Sequence, residues 1–257
     1  MGSITIPRVD EVVARILPAL QSVFGPHLRA AIVTGSAIKG DFIPYYSDLD
    51  IHAFVDHTVL MDENAPRADL ALAFQEAIGG LEPGEYGFGS FQIIFVSADY
   101  RADWAPHLPE TYQSILGDAR AIFGDLSPAR FIAHASRRLD QLPGEISTLV
   151  RTIVDKPDRS LERLSRLLGV YLKGQIYNAA VVITGDPLRV WQSRLDEVIP
   201  LLEPVASPAL RAFFSGVRSW TESRGDPEYH RTLIHDGLQA MSDLAAWWAA
   251  AKERANG

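Results

Sequence analysis

The chain has 257 residues, of which 47% are apolar and 22% are charged, and its formal net charge is -8 at pH 7. This length and composition are typical of a globular protein with one large domain or two modest ones. The negative charge argues against general binding to duplex nucleic acid, because that affinity comes mainly from Lys and Arg neutralising phosphates. The absence of cysteine excludes disulfides, thiolate metal ligands and cysteine nucleophiles.

The first residues, MGSITIPRVDEVV, contain no basic segment leading into an apolar run. No stretch reaches the roughly 18 uninterrupted apolar residues that a membrane span needs. We therefore expect a cytoplasmic protein that binds neither a membrane nor nucleic acid. Nothing in the sequence indicates an oligomeric state.

In the first half of the chain, short strand-like runs alternate with helix-like stretches. Residues 9–24 carry apolar side chains at helical spacing and stop at Gly25-Pro26, which predicts an amphipathic helix. A second helix is predicted over residues 66–78, starting at a proline and ending at Gly79-Gly80. The Gly- and Pro-rich residues 81–90 predict a loop. Strands are predicted over residues 30–34, 50–55 and 91–96.

Strand-like runs nearly vanish after about residue 125. From Ser127 onward the sequence predicts five or six helical segments, separated by breaks such as Pro143-Gly144 and Lys156-Pro157. The longest, residues 161–184, has the broad apolar stripe of a helix buried in a bundle. This change of character predicts two domains, one with strands over residues 1–125 and a helical one over residues 126–257.

The most informative stretch is VTGSAIKGDFIPYYSDLDIHAFV, residues 33–55. Side chains alternate along a strand, so Asp48, Asp50 and His52 should share one face. Two close carboxylates repel each other unless a cation lies between them. Mg2+ takes oxygen ligands from one or two carboxylates and completes its shell with water and phosphates. The pair therefore predicts a Mg2+ site shared with a phosphorylated ligand, whereas either aspartate alone is more often a turn cap or a solvated acid.

Gly35-Ser36 supplies the other half of this predicted site. Glycine allows a close backbone approach, and the serine offers a hydroxyl and a backbone N–H to a phosphate, most simply if a helix begins there. Together with the Asp-x-Asp strand, the turn predicts a site for a nucleoside triphosphate with Mg2+. Lys39, between the two halves, is a further candidate for a phosphate contact, and a solvated lysine is the alternative.

A strand ending in Val33-Thr34-Gly35-Ser36, followed about a dozen residues later by Ser47-Asp48-Leu49-Asp50-Ile51, resembles the signature of the nucleotidyltransferase superfamily. That superfamily has the DNA polymerase beta-like fold. Residues 167–200 loosely resemble two helices of the aminoglycoside (streptomycin/spectinomycin) adenylyltransferases. The resemblance implies an α+β fold, with a nucleotidyltransferase domain and mixed sheet over residues 1–125 and an all-α helical bundle over residues 126–257.

The resemblance also implies an activity, which is Mg2+-dependent transfer of a nucleoside monophosphate to a hydroxyl of a small, aminoglycoside-like acceptor. ATP is the expected co-substrate and AMP the expected transferred group. Asp48 and Asp50 would hold the metal, and Gly35, Ser36 and Lys39 would contact the nucleotide. Arg189 lies near the place from which the family's bundle lends a basic residue to the triphosphate, with Lys173 as the substitute.

The family has a third carboxylate on a later strand, which completes the metal site or accepts the acceptor's proton. The matching strand here is residues 90–96, and its polar member is Gln92, an amide that cannot accept a proton near neutral pH. Glu85, Asp99 and Asp103 are the nearest acids in sequence, and each is otherwise a solvated loop acid. Two alternatives stay open: a degenerate nucleotide-binding module, and a nucleotidyltransferase that modifies a protein side chain.

Overall fold

A computed structural model of the chain describes residues 8–62, 64–99, 107–123, 126–203 and 205–256. The chain divides into two compact units, Met1–Leu126 and Ser127–Gly257. The first unit contains a mixed four-stranded sheet with helices, and the described residues of the second unit form helices and connecting loops without strands. The predicted α+β fold class is therefore confirmed.

The first unit follows the chain order helix, strand, short helix, strand, helix, strand, strand and short helix. The elements are α1 (Val9–Phe24), β1 (Leu28–Thr34), α2 (Ser36–Lys39), β2 (Leu49–Val55), α3 (Ala68–Ile78), β3 (Phe91–Ser97), β4 (Tyr112–Leu116) and α4 (Arg120–Phe123). The sheet has the order β3-β2-β1-β4, in which β2 and β3 are parallel and the other two pairs are antiparallel.

The helix predicted over residues 9–24 and the three predicted strands are confirmed. The start predicted for the second helix is wrong, because Pro66 forms a bridge with Leu60 and α3 begins only at Ala68. The strand β4 and the short helix α4 had no counterpart in the sequence predictions.

The two faces of β2 are in different surroundings. Leu49, Ile51 and Ala53 are fully buried in the main core, where apolar side chains of α1 and α3 pack. The alternate residues Asp50 and His52 are only partly exposed and point to the other face. Further along that face, Phe54 is fully buried in a second apolar cluster. The polar part of this face is therefore confined to the N-terminal end of β2.

The second unit is built on three long helices that pack on one another, with a fourth against the last of them. Its helices are α5 (Pro128–Ile153), α6 (Leu161–Thr184), α7 (Pro187–Gln192), α8 (Leu195–Val198), α9 (Pro208–Val217), α10 (Trp220–Ser223) and α11 (Pro227–Asn256). Helices α5, α6 and α11 pack pairwise, and α9 packs on α11.

The helix predicted over residues 161–184 is confirmed, but the break predicted at Pro143-Gly144 is wrong. Helix α5 continues through Pro143. A proline inside a helix removes one backbone hydrogen bond. Buried side chains on both sides of it, Leu139, Leu142 and Leu149, anchor α5 in the core, so that packing offsets this loss.

Among the described residues, one helical stretch, Asp158–Thr184, is long and apolar enough to cross a membrane by length and composition. In its most apolar window, 56% of the residues are buried inside the structure. Leu168, Leu172 and Ile176 lie in the core of the second unit. This burial is that of a core helix and is consistent with a soluble protein, while the cytoplasmic location stays a prediction.

Candidate functional site

The two halves of the motif in residues 33–55 meet at Gly35 and Asp50. Gly35 follows β1 with φ 78° and ψ -155°, a backbone conformation that is essentially restricted to glycine. A Cβ atom at residue 35 would lie 3.2 Å from Asp50 Cγ and would overlap Asp50 Oδ2. The Asp50 carboxylate therefore packs directly on the backbone of the Gly-Ser turn.

The turn leads straight into α2, which is a single helical turn. Ser36 is its first residue and is buried. Lys39 is its last residue, and Gly40 ends it in the left-handed conformation, with φ 77°. The expectation that a helix begins at Ser36 is thus confirmed.

Asp48 lies immediately before β2 and accepts a short hydrogen bond from the segment that precedes β3. Ser90 Oγ donates to Asp48 Oδ1 at 2.6 Å. The same two segments are joined by three backbone hydrogen bonds, from Tyr45 N to Gly87 O (2.8 Å), from Gly89 N to Ser47 O (2.9 Å) and from Leu49 N to Ser90 O (3.0 Å). The position of Asp48 is therefore set by the start of β3 as well as by its own strand.

Gln92 lies beside Asp50 on the neighbouring strand. Asp50 pairs with Thr34 of β1 on one side and with Gln92 of β3 on the other. Directly paired residues point to the same face of a sheet. The structure thus places an exposed amide next to the Asp50 carboxylate.

The three acids considered as substitutes for the missing carboxylate lie in different parts of the chain. Asp99 follows the far end of β3, where its carboxylate accepts a hydrogen bond from His57 Nδ1 at 2.6 Å. Asp99 lies seven positions after Gln92, beyond the end of β3 at Ser97, which is roughly 20 Å along an extended chain, so the expectation that Asp99 could approach the site is wrong. Glu85 lies in the short helical turn Pro83–Tyr86, and its main-chain oxygen accepts a hydrogen bond from Arg8 Nη1. Asp103 lies outside the described residues.

His107, which the sequence predictions missed, contacts His52 on the face that carries Asp50. His107 Nε2 and His52 Nδ1 are 3.0 Å apart, and the two rings are edge to face with centroids 4.5 Å apart. Burial lowers the pKa of His52 to about 4. Burial also holds the pKa of His107 well below its ordinary value, with smaller contributions from His52 and from the charge of Lys39. Both rings are therefore neutral at pH 7, and one ring N–H donates to the other ring.

Nothing in the sequence could have linked this pair, because the two histidines are 55 residues apart and belong to no spacing motif. His107 packs against Tyr112 of β4 and Phe123 of α4. Neither of these two elements was predicted. The neutral pair forms a polar contact between the site and the second apolar cluster.

The carboxylates suit a hard divalent cation that prefers oxygen ligands. Among the described residues, no group of three or more His, Asp or Glu side chains could hold a metal. The available donors, Asp48 and Asp50, supply oxygen ligands only, which excludes a closed zinc site with nitrogen and sulfur ligands. Mg2+ binds through one or two carboxylates and completes its shell with water and substrate phosphates. The donor set therefore fits Mg2+ that binds together with a phosphorylated ligand.

The basic residues predicted for the triphosphate from the second half of the chain lie in the helical unit. Arg189 is exposed on α7, and its backbone N–H donates to the capping carboxylate of Asp186 at 3.1 Å. Lys173 is partly buried on α6. The contact of either side chain with a nucleotide stays a prediction.

No protein-family model matches the chain, and no curated protein matches its sequence. What the structure itself defines is a mixed four-stranded sheet with an N-terminal helix, followed by a helical region. The motif residues Gly35, Asp48 and Asp50 gather at one end of β2.

Proposed function

We propose that this protein is a nucleotidyltransferase of the kind that resembles aminoglycoside adenylyltransferases. It would use Mg2+ and a nucleoside triphosphate, ATP first, to transfer a nucleoside monophosphate to a hydroxyl of a small acceptor. The observation that carries the proposal is the packing of the Asp50 carboxylate on Gly35. This contact joins a turn whose backbone can approach a phosphate to an Asp-x-Asp pair that can hold a divalent cation.

The proposed reaction is an in-line displacement. The acceptor oxygen forms a bond to the α-phosphorus, the bond to the bridging oxygen breaks, and pyrophosphate leaves. Bound Mg2+ would offset charge on the phosphates and assist loss of the acceptor's proton. Asp48 and Asp50 would hold the cation, Gly35 and Ser36 would contact phosphate through the backbone and the hydroxyl, and Lys39 would add positive charge.

The destination of the acceptor's proton separates two candidate functions. The residue that pairs with Asp50 on β3 is Gln92, and an amide cannot take up a proton at neutral pH. This pairing favours, as a second candidate, a nucleotide-binding module with little transfer activity. The first candidate requires another base, and Asp99 is too far along β3 to serve.

Pyrophosphate release from Mg-ATP, measured with a panel of aminoglycosides, spectinomycin and lincosamides, tests the proposal. We expect release that depends on one acceptor, which gains the mass of AMP, and loss of both signals in Asp50→Asn. Asp99→Asn is the matched control, because it removes an exposed acid at the opposite end of the sheet.

Two outcomes would count against the first candidate. Transfer that persists in Asp50→Asn would remove the assigned role of this carboxylate. Metal-dependent nucleotide binding without release, for every acceptor of the panel, would favour the binding module.

A further inference from the structure

The start of β3 places a second polar pair beside the acidic one. Asp50 pairs with Gln92 and Leu49 with Phe91 in a parallel register, and the hydrogen bond from Ser90 to Asp48 continues that register by one residue. Alternate residues share a face, so Ser90 and Gln92 lie side by side with Asp48 and Asp50. Both members of the second pair are uncharged.

Ser90 contacts the Asp48 region in two independent ways. Its hydroxyl donates to Asp48 Oδ1 at 2.6 Å, which is in the range of charge-assisted O–H···O bonds. Its main-chain oxygen accepts from Leu49 N at 3.0 Å, and the neighbouring Gly89 N donates to Ser47 O. The backbone hydrogen bonds hold the loop in place, whereas the Ser90 hydroxyl contacts the Asp48 carboxylate itself.

We propose that Ser90 is a positioning residue, whose hydroxyl orients the Asp48 carboxylate toward the metal ion; this inference rests on the proposed function. The terminal torsion of an aspartate is broad, so one fixed oxygen defines the plane of the carboxylate. A neutral donor does this without adding a ligand that would compete for the cation. Removing a partner of this type typically weakens metal binding about tenfold to a hundredfold.

The test measures metal affinity rather than turnover, with Mn2+ as the probe in the presence of a non-hydrolysable ATP analogue. Free Mn2+ is followed by its paramagnetic resonance signal. We expect Ser90→Ala to raise the Kd for Mn2+ about tenfold to a hundredfold, and Ser90→Thr, which keeps the hydroxyl, to restore it. Ser97→Ala, the same change at the other end of β3, should leave the affinity unchanged.

A second variant covers the case in which Ser90→Ala does not fold. Ser90→Cys has nearly the same size but donates only weakly, and it should also weaken Mn2+ binding. Wild-type affinity in folded Ser90→Ala or Ser90→Cys would overturn the role of Ser90 and leave the proposed function standing. So would a failure of Ser90→Thr to bind better than Ser90→Ala. If the wild type binds no Mn2+ with the nucleotide, both proposals are overturned.

Discussion

Acidification should destabilise the first unit through the largely buried pair of His52 and His107. In the unfolded chain a histidine titrates near pH 6.5, whereas burial lowers the pKa of His52 to about 4 in the folded protein. Between these two values the unfolded state binds a proton that the folded state does not. The free energy of unfolding therefore falls as the pH falls from about 6.5 to about 4, and the contribution of His52 is constant below that.

The size of this loss follows from the interval between the two pKa values. Each pH unit of that interval is worth about 1.4 kcal/mol, so His52 alone contributes a loss of about 3 kcal/mol once it is complete. Between about pH 7 and about pH 4.5, protonation linked to His52 should lower the free energy of unfolding by about 2.5 kcal/mol. His107 shifts in the same direction and adds to it. Protonation of either ring is opposed by burial and, for His107, also by the charge of Lys39.

Urea unfolding followed by far-ultraviolet circular dichroism measures the loss, and the matched variant is His52→Gln, which can still make a hydrogen bond to His107. The wild type should lose about 2.5 kcal/mol more than this variant between the two pH values. Carboxylates whose pKa is lowered by partners, such as Asp56 and Asp140, are common to both proteins and cancel in the comparison. Equal losses, or a His52 ring that titrates near pH 6.5 by nuclear magnetic resonance, would refute the reasoning.

Two further predictions concern the motif itself. Gly35→Ala should destabilise the protein by about 2–3 kcal/mol in thermal or urea unfolding, because the new Cβ overlaps the Asp50 carboxylate and φ is 78°. Gly40→Ala has the same kind of backbone conformation, with φ 77°, but open space around the new Cβ, so it should destabilise the protein by only about 1–2 kcal/mol. Equal destabilisation by the two variants would rule out the overlap. Gln92→Glu should raise kcat for acceptor-dependent pyrophosphate release, and without bound Mg2+ it should lower the melting temperature slightly, because the new carboxylate lies directly opposite Asp50. An unchanged kcat would show that the position beside Asp50 is not the place of the base.

The sequence correctly predicted those helices and strands that are determined by residues close together in the chain. Helix α1 has the predicted bounds because its apolar spacing and the Gly25-Pro26 stop both lie within a few turns. The Asp-x-Asp strand was recognised from alternation, and the buried Leu49 and Ile51 bear that out. The break predicted at Pro143 failed because the packing that keeps α5 intact comes from other helices.

Features that depend on distant pairing could not be predicted in the same way. Strand β4 has five residues, of which two are exposed, and its identity comes from antiparallel pairing with β1, about 80 residues earlier. The contact between His52 and His107 depends on that strand and on α4. For the candidate site, the sequence therefore predicted the acidic pair and the turn but missed the serine and the histidine that touch the acidic strand.

The contact between Gly35 and Asp50 also limits which substitutions these two positions can tolerate. A side chain at residue 35 would require either a shift of the Asp50 carboxylate or a smaller residue at 50, and both changes disturb the acid. A variant that keeps the carboxylate at residue 50 is therefore expected to keep glycine at residue 35. Although the two positions are fifteen residues apart in the chain, we expect them to tolerate substitution only together.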